Sequence, residues 1–258
     1  MAKQTKKKAT KPKGKGPEPL KGPLVWRLLV VLWRRPWVQF LRLWLKRLIW
    51  GIVALVLILI GVFAVIPPPT TPYIVAEGIR LGGVKRDWVP IEDMASVLAR
   101  SAVAAEDANF CLHWGFDLDQ IQAAIDEGAT RGASTMTQQV AKNVFLWHGR
   151  SWFRKVLETA ITPIIEIVWS KRRIVEVYLN VAEFDAGVFG AEAASQHYFG
   201  KSASALSARE AARLAAVLPN PKERSASRPS SFVQRRSASI ADGAATIAVD
   251  GRAECFER

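Results

Sequence analysis

Cysteine is scarce in this chain, because Cys111 and Cys255 are the only two among 258 residues and no Cys-x-x-Cys pair occurs. This excludes the disulfide framework of a small secreted domain and gives no support to a structural zinc site. Whether the two thiols pair is left open. An excess of one charge is also missing beyond residue 47, since residues 48–258 contain 22 Lys/Arg and 22 Asp/Glu. A basic nucleic-acid-binding face is therefore not predicted for the folded region.

The net charge of +13 lies entirely in residues 1–47, which contain 14 Lys/Arg and a single acid. Residues 1–24 are rich in Lys, Pro and Gly, so they bury too little apolar surface to fold, and we predict a disordered basic tail. The stretch 24–47 alternates Trp with Arg and Lys, which is typical of a membrane interface. A solvated amphipathic helix is the alternative for this stretch. The whole of 1–47 is predicted to be a cytoplasmic tail and juxtamembrane segment.

Residues 48–66 contain neither charge nor proline, and as a helix they extend about 28 Å, close to the thickness of a bilayer core. We predict one transmembrane helix here. A cleaved signal peptide and a buried core helix are the alternatives, but the preceding basic region is too long for a signal and Pro67 follows the span. The positive-inside rule places the N-terminus in the cytoplasm. Residues 67–75 are expected to form a stiff linker.

The region 76–235 shows apolar residues at helical spacing and little strand-like alternation, which predicts a mainly α-helical domain. Capping signals at Asp117 and Ser207 predict two helix starts. Pro163 is expected to kink or interrupt its helix. Residues 236–258 are rich in Ser and Arg without a clear period, so an irregular C-terminal tail is expected.

A first polar cluster lies in residues 106–117. If one helix continues through it, Glu106, Phe110 and His113 lie along one stripe. A carboxylate beside aromatic groups can have its pKa raised toward neutrality, as a general base requires. The alternative is an exposed Glu106 at a helix end with His113 in the core.

A second cluster lies in residues 132–143, where Thr135, Gln139 and Lys142 share one helical face. Neutral donors beside a cation suit a sugar or a phosphorylated ligand. The alternative is a polar exterior face with Ser134 as the N-cap.

A third cluster contains Arg154, Lys155 and Glu158. The basic pair would meet an anionic leaving group, while Glu158 orients it or holds a metal ion. An ordinary helix salt bridge between Arg154 and Glu158 is the alternative. The stretch 170–180 could be an amphipathic helix and no more.

In this order the clusters resemble the motifs of the peptidoglycan glycosyltransferases, and the resemblance covers about residues 104–221. Glu-Asp-x-x-Phe-x-x-His-x-Gly-x-Asp is matched from Glu106, Gly-x-Ser-Thr-x-x-Gln-Gln-x-x-Lys-Asn from Gly132, and Arg-Lys-x-x-Glu from Arg154. The fourth motif is the stretch KRRIVEVYLN. The chain contains no Ser-x-x-Lys and no Lys-Thr-Gly, so we expect crosslinking to be done by another protein.

The resemblance implies a mainly α-helical, lysozyme-like lobe with a small membrane-facing jaw subdomain. It implies a membrane-anchored enzyme that polymerises lipid II into β-1,4-linked glycan strands. Glu106 would be the catalytic base, and Glu158 a second catalytic residue that could also hold Mg²⁺ or Mn²⁺; no organic cofactor is expected. The substrate-binding residues would be Asp107, Phe110, His113, Ser134, Thr135, Gln138, Gln139, Lys142, Asn143, Arg154 and Lys155.

The expected partners are lipid II, the growing glycan strand, the membrane and proteins of cell-wall synthesis or division. The expected location is the inner membrane, with the catalytic domain in the periplasm. Two other functions compete: a lytic enzyme of the same fold that cleaves glycan, and an inactive membrane scaffold. A lytic enzyme has a neutral sugar hydroxyl as its leaving group, which gives no reason for Lys142, Arg154 and Lys155 to converge.

Overall fold

The computed structural model describes residues 36–128, 132–149 and 151–257. The predicted disordered tail over residues 1–24 and the aromatic and basic residues up to Arg35 lie outside the described residues. Residues 56–258 form one compact unit by their contacts.

The first helix, α1, spans Pro36–Phe63 and is long and apolar enough to cross a membrane. Its 28 residues extend about 42 Å, more than a bilayer core requires. It begins twelve residues before the start of the predicted span at residue 48, and it ends three residues before the predicted end at residue 66. Pro36 occupies the first turn, where a missing N–H costs no hydrogen bond, so the basic stretch up to Arg47 continues into the helix instead of preceding it.

The last turn of α1 is fixed to the domain that follows. The indole Nε1 of Trp169 donates to the carbonyl of Ile60 at 2.7 Å, and Nε of Arg173 donates to the carbonyl of Phe63 at 3.0 Å. Ile60 and Phe63 are buried. These bonds satisfy carbonyls that the end of a helix leaves unpaired, so the last turn of α1 is part of the compact unit that begins at Val56.

The predicted linker over residues 67–75 is shorter than expected. Helix α2, Pro72–Leu81, begins inside it, because the Thr71 side chain accepts a hydrogen bond from the amide of Ile74 at 3.3 Å. The remaining linker is held by Arg86, which donates to the carbonyl of Pro68 at 2.7 Å.

The described part of the domain is mainly helical, which confirms the predicted fold class. After α2 the remaining helices are α3 Ser96–Glu106, α4 Leu118–Asp126, α5 Met136–Phe145, α6 Trp152–Val168, α7 Lys171–Val181, α8 Ala191–Phe199, α9 Ala208–Val217, α10 Ser231–Val249 and α11 Glu254–Glu257. Short 3-10 turns occur at Ile91–Asp93, Phe110–Leu112 and Ala203–Ala205. Both predicted caps are confirmed, since Asp117 caps α4 and Ser207 caps α9.

Three short strands form a small sheet beside the helices. They are β1 Lys85–Arg86, β2 Glu183–Asp185 and β3 Val188–Phe189. The strand β3 lies in the middle, parallel to β1 and antiparallel to β2. Strands of two or three residues leave almost no alternating pattern in a sequence, which is why the composition did not predict them.

Helix α7 forms the centre of the hydrophobic core. Every residue from Val177 to Val181 is buried, and α7 packs against α3, α5, α8 and α11. A helix that is buried on most sides carries core packing rather than a solvated polar face. The reading of residues 170–180 as a plain amphipathic helix is therefore incomplete.

The predicted irregular tail over residues 236–258 is wrong. Helix α10 runs from Ser231 through it to Val249 and packs against α3 and α9. The buried residues of α10 are small or aliphatic, and Ser237 and Ala244 are among them. The helix can therefore approach its neighbours closely, although its sequence lacks a strong helical repeat of large apolar residues. Cys111 and Cys255 form a disulfide with a Cα–Cα distance of 5.7 Å, which ties α11 to the first polar cluster.

Pro163 does not interrupt its helix, because α6 runs from Trp152 to Val168 without a break. Pro163 is exposed. Proline has no backbone N–H, so the carbonyl of Thr159 lacks its usual partner in the helix. Thr159 is exposed like Pro163, so water can satisfy this carbonyl and the helix continues.

Candidate active site

Glu106 is the last residue of α3 and opens onto a cavity of about 300 Å³. The wall of this cavity comes from the end of α3, the start of α4 and the segment that precedes α5. Residues from both the first and the second predicted cluster therefore surround one carboxylate.

The first cluster does not form the predicted helical stripe. Helix α3 stops at Glu106 because the Asp107 carboxylate turns away to cap another helix, accepting from the amide of Met136 at 2.8 Å. His113 donates from Nε2 to the same carboxylate, also at 2.8 Å. Asp107 and His113 are thus brought together as a support for the loop, one residue away from the base.

Two further hydrogen bonds hold the loop that follows Asp107. Lys171 donates to the carbonyl of His113 at 2.7 Å, and the hydroxyl of Thr135 donates to the carbonyl of Gly115 at 2.6 Å. Gly115 has a φ of +82°, and a Cβ there would lie 2.6 Å from a methyl carbon of Thr162. Both the conformation and the lack of space therefore require glycine.

Phe110 is fully buried within the core cluster, and the ammonium of Lys171 lies 4.2 Å from its ring centroid. A side chain with no exposed surface supports the loop through packing, so the structure provides no substrate contact for Phe110.

The second cluster begins with a capping box. The Thr135 hydroxyl accepts from the amide of Gln138, whose side chain in turn accepts from the amide of Thr135 at 3.0 Å. The N-cap of α5 is therefore Thr135, and the alternative that placed Ser134 there is wrong. Because their polar groups are used in this way, Thr135 and Gln138 start the helix rather than face the cavity centre.

Gln139 and Lys142 interact with Glu106 from the next turns of α5. Nε2 of Gln139 donates to a carboxylate oxygen of Glu106 at 2.9 Å. Burial lowers the pKa of Lys142, while Glu158 and Glu106 raise it through their negative charge. The charge of Lys142 therefore interacts with an acid of the first cluster and with an acid of the third.

The third cluster is built around a buried acid. Glu158 accepts from Nη1 of Arg154 at 2.6 Å and from the ammonium of Lys155. Lys155 also donates to the hydroxyl of Ser134 at 2.9 Å, which joins this cluster to the wall of the Glu106 cavity. Only 3 % of the surface of Glu158 is exposed, so this is more than the ordinary surface salt bridge of the alternative.

Glu158 does not fit the predicted metal site. Both of its oxygens are bound by cationic side chains, which would repel a divalent ion. Within the described residues one other group meets the geometric demand for a metal, namely Asp107, His113 and Asp117. Their carboxylates already accept from Met136, His113, Asn109 and Gln120.

Burial is the main cause that raises the pKa of Glu106. The hydrogen bond from Gln139 and the charges of Arg236 and Lys142 oppose this shift, whereas the charge of Asp107 adds to it. The carboxyl thus has the raised pKa expected of a general base, and neighbouring donors favour its charged form.

Sequence reasoning missed several polar residues around the site. His148 contacts the Asn143 side chain at 2.9 Å and stacks on Tyr73 with ring centroids 3.4 Å apart. Burial and the charges of Lys142 and Arg154 lower the pKa of His148 to about 4. Arg236 was assigned to an irregular tail. No local pattern points to these residues, because each reaches the site from a distant element.

Comparison with known proteins gives the class of the molecule. A protein-family model described as Transglycosylase matches residues 75–245. A biosynthetic peptidoglycan transglycosylase from Jannaschia sp. (strain CCS1) is 63% identical over 218 residues, which cover 84% of this chain and 91% of that protein. Another protein of that name, from Pseudomonas syringae pv. syringae (strain B728a), is 50% identical over 77% of this chain and 88% of its own length.

The chain belongs to the transglycosylase family. The resemblance to the peptidoglycan glycosyltransferases that the four motifs indicate is confirmed, and with it the assignment as an enzyme.

Replacing Gln139 with Ala should move the acid limb of the pH–activity profile to higher pH. The amide stabilises the charged form of Glu106, so its loss raises the pKa of the carboxyl further, and the base becomes protonated as the pH falls through that higher value. The profile of kcat/KM against pH measures this shift.

The matched control is Gln138→Ala, which removes the capping box one residue away and should lower the melting temperature by a few degrees while leaving the acid limb in place. An unchanged limb in Gln139→Ala would contradict the role of the amide.

Proposed function

We propose that this chain polymerises lipid II into β-1,4-linked glycan strands with Glu106 as the general base. Glu106 removes the proton from the 4-hydroxyl of the acceptor GlcNAc. The oxygen attacks C1 of the donor MurNAc, the bond from C1 to undecaprenyl diphosphate breaks, and the configuration inverts. The observation that carries the proposal is one carboxylate with a raised pKa beside a convergent set of cations.

The cations stabilise the leaving group. Charge accumulates on the diphosphate as the bond to C1 breaks, and Lys142, Arg154 and Lys155 are held where they can neutralise it. Glu158 positions the last two through its two hydrogen-bonded oxygens. Because diphosphate leaves readily once neutralised, a second carboxylic acid is not needed to protonate it.

A lytic glycan-cleaving enzyme fits this arrangement less well. Such an enzyme expels a neutral sugar hydroxyl and usually places two carboxylates across the scissile bond. Here Glu158, the buried acid of the third cluster, is neutralised by two cations instead of facing a sugar. An inactive scaffold would have no reason to keep a base of raised pKa in an open cavity.

Replacing Glu106 with Gln should abolish polymerisation, with a loss of at least about a hundredfold in kcat, because general-base catalysis contributes on that scale. Labelled lipid II and gel analysis of the product measure the effect. The Gln side chain is isosteric, so lipid II binding should persist. Shortening of preformed glycan without any polymer would support the lytic alternative, and wild-type polymerisation by the variant would remove Glu106 as the base.

The catalytic domain is proposed to lie in the periplasm, with α1 in the inner membrane. Two observations support this location: the excess of cations precedes the span, and Cys111 and Cys255 are paired, as is usual in oxidising compartments. Maleimide labelling of intact cells checks it, since both thiols should react only after reduction.

Helix α6 presents an uncharged exposed face. Trp152 and Phe153 begin this face, with 83% and 61% of their surface exposed, and Val156, Pro163 and Ile167 continue it. Arg154 and Glu158 of α6 are turned inward to the site, which inverts the usual polarity of a surface helix. Trp169, which directly follows α6, donates from its indole Nε1 to the carbonyl of Ile60 near the end of α1. We therefore propose that this face, with Trp147, is the membrane-facing jaw.

Charge placed on this face should weaken membrane binding. Trp152→Glu and Phe153→Glu in a domain without α1 are expected to lower its binding to anionic vesicles at least fivefold, because a carboxylate resists burial at the acyl boundary. Vesicle flotation measures the effect. Val249→Glu, at an equally exposed apolar residue of α10, is the control and should bind as the unmodified domain does. If all three variants bound vesicles as well as the unmodified domain does, the assignment of this face as the jaw would be wrong.

A requirement for Mg²⁺ or Mn²⁺ and contacts with cell-wall synthesis or division proteins stay predictions. The donors around Glu158 give no cation site, so no step of the proposed reaction passes through a metal held there. Activity after treatment with EDTA and after restoring each ion checks the requirement.

A further inference from the structure

A second cavity of about 400 Å³ adjoins the Glu106 cavity, and Ala104 and Ala105 line both. Its other wall is the first half of α10, which contributes Arg235 and Arg236. The two cavities thus meet at the turn of α3 that carries the proposed base.

The guanidinium groups in this cavity lack acidic partners. The lining residues include no Asp or Glu, and among the described residues no carboxylate lies within ion-pair distance of Arg235 or Arg236. Some arginines of the domain are instead held by an acid, as Arg154 is by Glu158 and Arg173 by Glu176. Arg236 interacts with Glu106 through its charge but forms no salt bridge with it, and two adjacent cations without a salt bridge beside an active site favour an anionic ligand.

Arg236 also carries a buried donor without a partner. Its Nη2 donates to the carbonyl of Ala105 at 3.4 Å, but its Nε is buried and has no hydrogen-bond partner among the described residues. A buried unpaired donor is costly, and a bound anion is one way in which such a group becomes satisfied. Arg235 is exposed and free to close over the same ligand.

The proposed reaction needs a second anion-binding set. Two lipid-linked substrates meet at Glu106, and Lys142, Arg154 and Lys155 serve the leaving diphosphate of the donor. The acceptor brings its own diphosphate and the carboxylates of its peptide. Its 4-hydroxyl must lie at Glu106, so its anionic groups lie within one or two sugar lengths of that residue.

We propose that the cavity of Arg235 and Arg236 is an anion-binding subsite that holds the acceptor lipid II by its diphosphate or by a peptide carboxylate. The inference rests on the proposed role of Glu106. Arg236 has a second effect, because its charge acts on the pKa of Glu106. Arg235 is not among the charges that shift this carboxyl, so it isolates the binding role.

The test uses the full chain in detergent with lipid II as substrate. Arg235→Gln should raise KM about tenfold and change kcat less than twofold, and the double variant with Arg236→Gln should raise KM further. Arg235→Lys, which keeps the charge, should recover most of the loss. Arg209→Gln is the matched control, since Arg209 is an exposed arginine on α9 outside both cavities.

A second substrate, lipid II with amidated peptide carboxylates, separates the two anions. If the carboxylate is bound, the amidated substrate has a raised KM with the wild-type chain and Arg235→Gln adds nothing. If the diphosphate is bound, the variant raises KM equally for both substrates. Wild-type KM values for Arg235→Gln and for the double variant on both substrates would overturn the subsite, whereas absence of polymer from the wild-type chain would overturn the proposed function instead.

Discussion

The Asp107 carboxylate is the contact on which the geometry of the site depends. It accepts one hydrogen bond from the first amide of α5 and one from His113, so three segments that are distant in sequence meet at one residue. The amide at the N-terminus of α5 and the ring of His113 hold this carboxylate in place from two sides. Glu106 precedes it directly, and its position opposite Gln139 follows from the same contact. Asp107 therefore acts by holding two chain segments, while Glu106 remains available for chemistry.

In the proposed function, the inverted polarity of α6 connects the chemistry of the site to the membrane. Its inward side carries Arg154, Lys155 and Glu158, and its outward side is apolar from Trp152 onward. A lipid-linked diphosphate has the same division, with charge next to a hydrocarbon tail. One helix can thus contact both parts of the substrate, since the thickness of a helix is close to the distance from the acyl boundary to the headgroup charge. Trp169, which directly follows α6, binds the carbonyl of Ile60 in the last turns of α1.

The sequence motifs name residues that the structure brings close together, but the contacts of several of them differ from what the motifs suggest. Short motifs indicated Glu106, Lys142, Arg154 and Glu158, because the chemistry needs those residue types at that spacing. Helical periodicity failed between Glu106 and His113, where a side-chain cap outcompetes helix continuation. Helical periodicity also failed to predict α10 over 231–249. Small residues pack closely against α3 there, so the sequence has no clear helical repeat of large apolar residues. The pairing of Cys111 with Cys255 spans 144 residues and has no local signature.

The two basic sets around Glu106 differ in how they are held, and this difference fits different tasks. Arg154 and Lys155 are fixed by a buried acid, so they can stabilise developing charge without moving at the moment of reaction. Arg235 and Arg236 form no salt bridge within the part of the chain that the structure describes, so their charge is available to a ligand, but Arg235 must lose freedom on binding. A preorganised set suits the bond that breaks, whereas an unpaired and adaptable set suits a substrate that must enter and leave in every cycle. The absence of an acid beside Arg235 thus follows from what a reversible binding site needs.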